Sequence, residues 1–374
     1  MNRFIYSWIF LLCVLATGCD SMFEKELPPH NLVGENAITN ESSAEVALNG
    51  IYSYLTSYGT MSAYYISDNE YRTGLLDSTY RTAFELNQLL EFEMNDEDGY
   101  VSAPWQLVYK MVNAANNFIY NVEKLSESKF GQNRKTEMLA EAKFTRAFAH
   151  AFLLRRYGYF WDTNSDYGPI IRLEPSALSN NNQGRSSVKE SYEKIFEDLD
   201  YAIKYGPEFY SRYRGCATTA KAFKADLLMN RGAEGDYAEA IRLADEVIGS
   251  SEFGLEATYR DIFTNGYNSK ELMFTRHLKS VPTMMANVGS LLKLFGGGTY
   301  KPSKLFLEIL TPKDKRYVVT LDSMVIGNGT LANRMEKTLY HEWRLSDVLY
   351  EGCPDVPDKS GGNGPDKCID KGLY

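Results

Sequence analysis

Histidine and cysteine are scarce in this chain, and their scarcity narrows the chemistry open to it. Only four histidines occur, at 30, 150, 277 and 341, and none forms a zinc-type pair. His341-Glu342 begins like an HExxH motif, but position 345 is leucine. Asn95-Asp96-Glu97-Asp98-Gly99 has the residue types of a calcium loop without its register, since a sixth-place Gly99 would put Met94 first and Trp105 twelfth. Gly296-Gly297-Gly298 lacks the lysine and hydroxyl residue that complete a phosphate loop, and no GxSxG elbow is present. No metal or cofactor is expected. These gaps favour binding over catalysis, although 49 acidic residues leave a carboxylate pair for glycoside hydrolysis open.

Of five cysteines, Cys13 and Cys19 lie in the amino-terminal segment, leaving Cys216, Cys353 and Cys368. Metal-type spacing is absent. Cys353 and Cys368 bracket a Pro/Gly/Asp-rich loop that they could close as a disulfide outside the cytoplasm, and two free thiols is the equal alternative. Basic residues are outnumbered, 40 Lys and Arg against 49 Asp and Glu, for a net charge of −9. Without basic patches there is little counterion release to gain, so nucleic acid is not an expected partner. After residue 19 no segment approaches the roughly 18 consecutive apolar residues of a membrane span.

The amino terminus carries an address. Arg3, the apolar run Phe4 to Ala16 and the small residues Ala16-Thr17-Gly18 precede Cys19, the pattern of a bacterial lipoprotein signal over residues 1–18 with acylation at Cys19. Thirteen residues at about 1.5 Å each cannot cross a hydrocarbon core of roughly 30 Å, so a permanent transmembrane helix is the weaker reading. An ordinary secretory signal is the alternative, and Leu15 sits one place further from Cys19 than is usual. Asp20, Glu24 and Glu26 open a polar tether over residues 19–40. Aromatics make up 13 % of the chain, with 27 tyrosines. A flat ring with a polar tip suits sugar recognition, although most such rings pack in cores.

Residues 41–252 read as helical. Ser43 to Tyr58 carries Val46, Ile51, Tyr54 and Leu55. Trp105 to Leu125 aligns Val108, Met111, Val112, Ala115, Phe118, Ile119 and Val122. In Thr136 to Tyr157, Phe144, Phe148 and Phe152 form one ridge, and Ala140, Ala142, Ala147, Ala149 and Ala151 keep the other faces thin. Gly158 is expected to end that helix in a left-handed conformation. Ser187 to Glu190 is a capping-box start for a helix with Val188, Tyr192, Ile195, Leu199, Ala202 and Ile203 on one face. Thr219 to Arg231, a Gly232 to Gly235 turn and Asp236 to Ile248, with Tyr237, Ala240, Ile241, Ala244, Val247 and Ile248 aligned, have the shape of a tetratricopeptide hairpin. A generic helical hairpin is the simpler reading. Residues 253–350 read as a loop-rich lobe with short helices, a strand or two near Tyr317 to Leu321 and a late helix, and 351–374 as a polar Gly/Pro-rich tail.

Several stretches resemble, in order, the SusD/RagB family of outer-membrane nutrient-binding lipoproteins. They are Cys19 with its acidic tether, Ser42 to Tyr52, Trp105 to Asn117 with Tyr109 and Asn113-Ala114-Ala115-Asn116, Ala140 to Gly158, and Arg334 with Arg344-Leu345-Ser346-Asp347-Val348. The resemblance implies a mainly α fold of tetratricopeptide-like helix pairs in a right-handed superhelix, with a looped lobe contributing to a glycan site. It also implies docking onto a TonB-dependent transporter of the SusC type, a lipid anchor in the outer membrane facing the exterior, and no catalysis. Two departures stand out: an insertion, Tyr159 to Tyr167, after Tyr157-Gly158, and a short carboxy-terminal portion after Val348.

Candidate ligand contacts are Asp68, Asn69, Tyr71 and Arg72, in the segment Asp68-Asn69-Glu70-Tyr71-Arg72, with Tyr80 and Arg81 nearby. Carboxylate, amide and guanidinium groups can bridge sugar hydroxyls while aromatics supply a platform. A solvated polar loop is the competing reading. Trp161 is a further candidate if the insertion is a loop. The functional expectation is a surface glycan-binding lipoprotein of an import complex; a helical-repeat scaffold for another protein, or a glycosidase, are the alternatives.

Overall fold

The computed structural model describes residues 37–56, 73–78, 99–275, 300–310 and 313–314. Helix α1 (Glu41–Ser53) begins where Asn40 accepts a hydrogen bond from Ser43 N (3.0 Å) while Ser43 Oγ accepts one from Asn40 N (3.1 Å). This reciprocal cap satisfies two donors that the first turn would leave bare. Helix α2 (Gly99–Lys124) starts earlier than its apolar pattern suggests, and its expected stripe from Val108 to Val122 is buried throughout.

Helix α3 (Arg134–Tyr157) is the centre of the molecule. Its five alanines at 140, 142, 147, 149 and 151 are all buried, and the thin faces they create let α2 pack on one side and α4 (Val188–Tyr205) on the other. One hydrophobic core lies among α1, α2 and α3. A second lies among α3, α4, α5 (Ala217–Arg231) and α6 (Asp236–Ile248). The phenylalanine ridge joins them: Phe144 and Phe148 stand 5.3 and 5.9 Å from Phe274, which belongs to both cores.

Helices α5 and α6 form the expected hairpin. Gly232 (φ 60°) and Gly235 (φ 85°) take left-handed conformations that side chains resist, so the turn needs glycine at both places. The aligned face of α6 is only partly covered. Ala240 and Leu243 are buried, whereas Tyr237, Ile241 and Ile248 are exposed, because α5 meets α6 along the side that carries Leu243. Among the described residues one short antiparallel ribbon occurs, β1 (Leu76–Ser78) against β2 (Tyr300–Pro302), with Asp77 opposite Lys301. Two short helices, α7 (Tyr259–Asn265) and α8 (Lys304–Ile309), complete the described α-helices. The strand expected near Tyr317 to Leu321 lies outside the described residues, as do Cys19, Cys353 and Cys368; Cys216 is a buried free thiol.

Polar side chains tie these layers at two buried nodes. Arg146 grips Asp198 through two 2.7 Å bonds, and its remaining nitrogen donates to Asn116 Oδ1 (2.8 Å) and Leu173 O (3.1 Å), so one guanidinium joins α2, α3 and α4. At the second node the wholly buried Glu141 receives Arg214 Nε (2.6 Å), Arg134 (3.2 Å) and the Tyr52 and Tyr210 hydroxyls (3.3 and 3.2 Å). Arg214 and Arg134 also reach Glu45 on α1, at 2.8 and 2.7 Å. Burial, reinforced by the Glu141 charge, pushes the Tyr52 hydroxyl well above the ordinary phenol range. Held by two arginines and two phenols, Glu141 with Glu45 fastens α1 to the body.

Candidate functional site

The inserted segment after α3 forms a compact loop that closes on itself. Gly158 N donates to Leu154 O, and Tyr159 N donates to Tyr167 O across the neck, both at 3.0 Å. Inside, two turns follow one another, Asp162 N to Tyr159 O (2.9 Å) and Ser165 N to Asp162 O (3.1 Å). Asp162 Oδ1 accepts Asn164 N at 3.0 Å, and Ser165 Oγ accepts Tyr167 N at 3.1 Å. The Asp162 and Ser165 side chains are therefore turn chemistry, each satisfying backbone that has no ladder to join.

Gly158 is not left-handed, contrary to the sequence expectation; its φ is −121°. Its glycine is required by crowding instead, because a Cβ there would lie 2.8 Å from Tyr167 O and 2.9 Å from Leu154 O. At the other end a Cβ on Gly168 would lie 2.6 Å from Ser186 O and 2.8 Å from Ser187 O, with Ser191 Oγ at 2.5 Å. Both ends of the neck thus pack backbone against backbone.

The loop is held by Arg185, just ahead of α4, and by α4 itself. Arg185 donates to Tyr157 O (3.0 Å) and Gly168 O (2.9 Å), bridging the two ends. Val188 N donates to Ser165 O (2.9 Å), and Tyr192 donates to Phe160 O (3.0 Å). The segment leaving the loop is fixed by the Tyr and Asn residues of α2. Tyr109 Oη exchanges bonds with Ile170 N and O (2.9 and 3.1 Å), Asn116 donates to Arg172 O and Glu174 O (3.0 and 2.9 Å), and Asn113 accepts Ser176 N (2.8 Å).

On this rigid frame the side chains alternate. Phe160 points inward onto the second core, while Tyr159, Trp161 and Tyr167 point outward. Trp161 stacks on Tyr159 with ring centres 5.3 Å apart and planes 22° from parallel; Tyr167 flanks Tyr159 at 5.3 Å. The three rings keep 63 %, 50 % and 59 % of their surface exposed, which makes them an open aromatic platform and not a core. Asp162, Asn164 and Asp166 belong to the same loop and are exposed. Rings held without a ligand cost little further entropy on binding, and hydroxyl-acceptor groups at their margin give direction.

Trp161 is thus where the sequence placed it, on a loop and exposed. Tyr159 and Tyr167 were not singled out individually, and the signal for them was the insertion itself. Asp68, Asn69, Tyr71, Arg72, Tyr80 and Arg81 lie outside the described residues. Among the described residues no cluster of three or more His, Cys, Asp or Glu is placed to hold a metal, and no helix is long and apolar enough to cross a membrane.

Comparison with known proteins agrees with this architecture. A SusD-like family model, described as starch-binding and associating with the outer membrane, matches residues 34–227. A SusD-like protein P2 from Formosa agariphila is 27 % identical over 282 residues, covering 74 % of this chain and 53 % of that protein. A SusD-like protein from Bacteroides ovatus is 26 % identical over 289 residues, 73 % of this chain and 50 % of its own. The chain therefore spans about half the length of these curated relatives. Among solved structures, a SusD superfamily protein from Bacteroides thetaiotaomicron superposes with a TM-score of 0.66 at 21 % identity, over 88 % of this chain and 72 % of that one. The helical hairpins described above are the tetratricopeptide-like fold of that superfamily. With just over half of its length matched by the family model, the chain belongs to the SusD-like family.

Proposed function

We propose that this protein binds oligosaccharide at the cell exterior and delivers it to a SusC-like TonB-dependent transporter, held to the outer membrane by acyl chains on Cys19. The observation that carries the binding half is the Tyr159, Trp161 and Tyr167 platform: three exposed rings on a loop whose backbone is fixed at both ends. Sugars present apolar C–H faces to such rings and hydroxyls to the polar groups around them. The family's description as starch-binding, and a fold likeness to a laminarin-binding SusD-like protein (TM-score 0.50, 19 % identity, 63 % of this chain and 51 % of that one), support the same ligand class. The lipid anchor is proposed from the signal pattern that ends at Cys19, and the transporter and the absence of catalysis from the family resemblance. Asp68, Asn69, Tyr71, Arg72, Tyr80 and Arg81 are proposed, on their sequence alone, as further ligand contacts.

Titrating the purified protein with a panel of oligosaccharides tests the reading. Saturable binding without release of reducing ends is expected, and Trp161→Ala should weaken it by roughly tenfold or more, the equivalent of about 1.4 kcal/mol of lost stacking. Hydrolysis of the ligand, or unchanged affinity in both the Trp161→Ala and Tyr71→Ala variants, would remove the binding-site assignment.

A further inference from the structure

The loop that carries the rings is clamped by a side chain that lies outside it. Arg185 belongs to the segment ahead of α4, and its Nη1 donates to Tyr157 O (3.0 Å) on the arm entering the loop and to Gly168 O (2.9 Å) on the arm leaving it. The same guanidinium lies over the Trp105 ring at 5.8 Å, and that ring is set edge-to-face with Tyr109 (4.8 Å) and Tyr157 (5.0 Å). The next residue continues the seam: Gly168 N donates to Ser186 O, and Ser186 N donates to Pro169 O, both at 3.0 Å. Among the described residues Arg185 meets no carboxylate. It keeps its charge and directs it at two neutral carbonyls, and a charged donor makes the stronger bond to each. Across the neck this bridge backs the backbone bond from Tyr159 N to Tyr167 O.

We propose that Arg185 is the positioning residue of the glycan site: without touching the ligand, it holds the two arms at the separation at which Tyr159, Trp161 and Tyr167 form one surface. This rests on the glycan reading of the same loop. The rings come from both arms, Tyr159 and Trp161 near the entry and Tyr167 at the exit, so the neck sets the spacing between them. With the bridge cut, the loop visits conformations in which Tyr167 leaves Tyr159, and the apparent affinity falls in proportion to the fraction of molecules with the surface assembled. That loss is the same for every ligand of the surface, because the assembled contacts are unchanged. An Arg185 that touched the sugar would instead weaken some ligands more than others.

Calorimetric titration of the full-length protein with maltohexaose, laminarihexaose and the triose of each series tests the inference in the wild type, Arg185→Ala, Arg185→Lys and Trp161→Ala. Amide hydrogen exchange at Tyr159 and Gly168 is followed in the same proteins. Arg185→Ala should weaken every saccharide that binds by one common factor, about five- to twentyfold, and speed exchange at the Tyr159 N–H while amides in the middle of α3 and α4 keep their wild-type protection. Arg185→Lys keeps three donors on one nitrogen and should recover part of both losses. Unchanged affinity in Arg185→Ala with Trp161→Ala still weakened overturns the positioning role and leaves the platform. Factors that differ between saccharides, affinity lost with the neck amides still protected, or protection lost throughout α3 and α4 overturn it as well. Binding indifferent to both Trp161→Ala and Arg185→Ala, or a wild type that binds none of the saccharides, overturns the glycan reading of the loop and the positioning role with it.

Discussion

Lowering the pH should expose a histidine that the fold keeps uncharged. His150 sits on α3 with no exposed surface; its Nε2 accepts the Arg172 backbone N–H at 3.3 Å, and Arg146 lies one turn away. Burial, aided by the Arg146 charge, depresses the imidazole from about 6.5 to about 3. The sign follows from which state binds the proton. Above pH 6.5 both folded and unfolded chains hold a neutral ring, and the full stability is present. As pH falls below that value the unfolded chain takes up a proton that the folded one refuses, so stability is lost progressively down to about pH 3. At pH 5 the loss amounts to about 2 kcal/mol, the free energy of roughly one and a half pH units for one proton. Urea unfolding of the wild type and of His150→Gln, which keeps an acceptor and cannot titrate, should give stabilities whose difference changes by that amount between pH 7.5 and 5. Parallel pH profiles for the two proteins would refute the reasoning.

Three further outcomes are expected. Asp198→Asn leaves the Arg146 guanidinium uncompensated in the core and should cost about 3 to 5 kcal/mol in chemical denaturation, since both partners are almost wholly buried. Tyr52→Phe removes the acceptor of the buried Gly215 N–H (2.9 Å) as well as a Glu141 donor, a loss of about 1 to 3 kcal/mol readable as a lower unfolding midpoint. Gly158→Ala forces a methyl against two carbonyl oxygens and should cost about 1 to 3 kcal/mol; because it opens the loop neck, it should also weaken glycan binding in the same titration that scores Trp161→Ala.

Local chemistry carried much of this fold into view. The buried stripe of α2, the alanine-thinned α3 and the glycine turn between α5 and α6 each follow from spacing and from the conformations particular residues permit. What escaped depended on partners distant in sequence. The outward face of α6 looked like a core face because Tyr237, Ile241 and Ile248 share helical spacing, and only the position of α5 shows that Leu243 is the residue covered. Arg146 and Asp198 are 52 positions apart, so nothing in either neighbourhood announces their pairing. Gly158 was legible as a necessary glycine but for the wrong reason, since crowding by Tyr167 O is invisible until the loop closes. Trp161 was legible as an exposed loop residue; its stacking partner Tyr159 and the neighbouring Tyr167 join it only through the cross-neck bond.

A crystal structure of the protein soaked with a neutral oligosaccharide bears most directly on the central claim. The sugar should lie on the outward rings of Tyr159, Trp161 and Tyr167 with hydroxyls toward Asp162, Asn164 or Asp166, and the loop backbone should not move. Saccharide bound elsewhere, with those rings bare in the same crystal, would contradict the account.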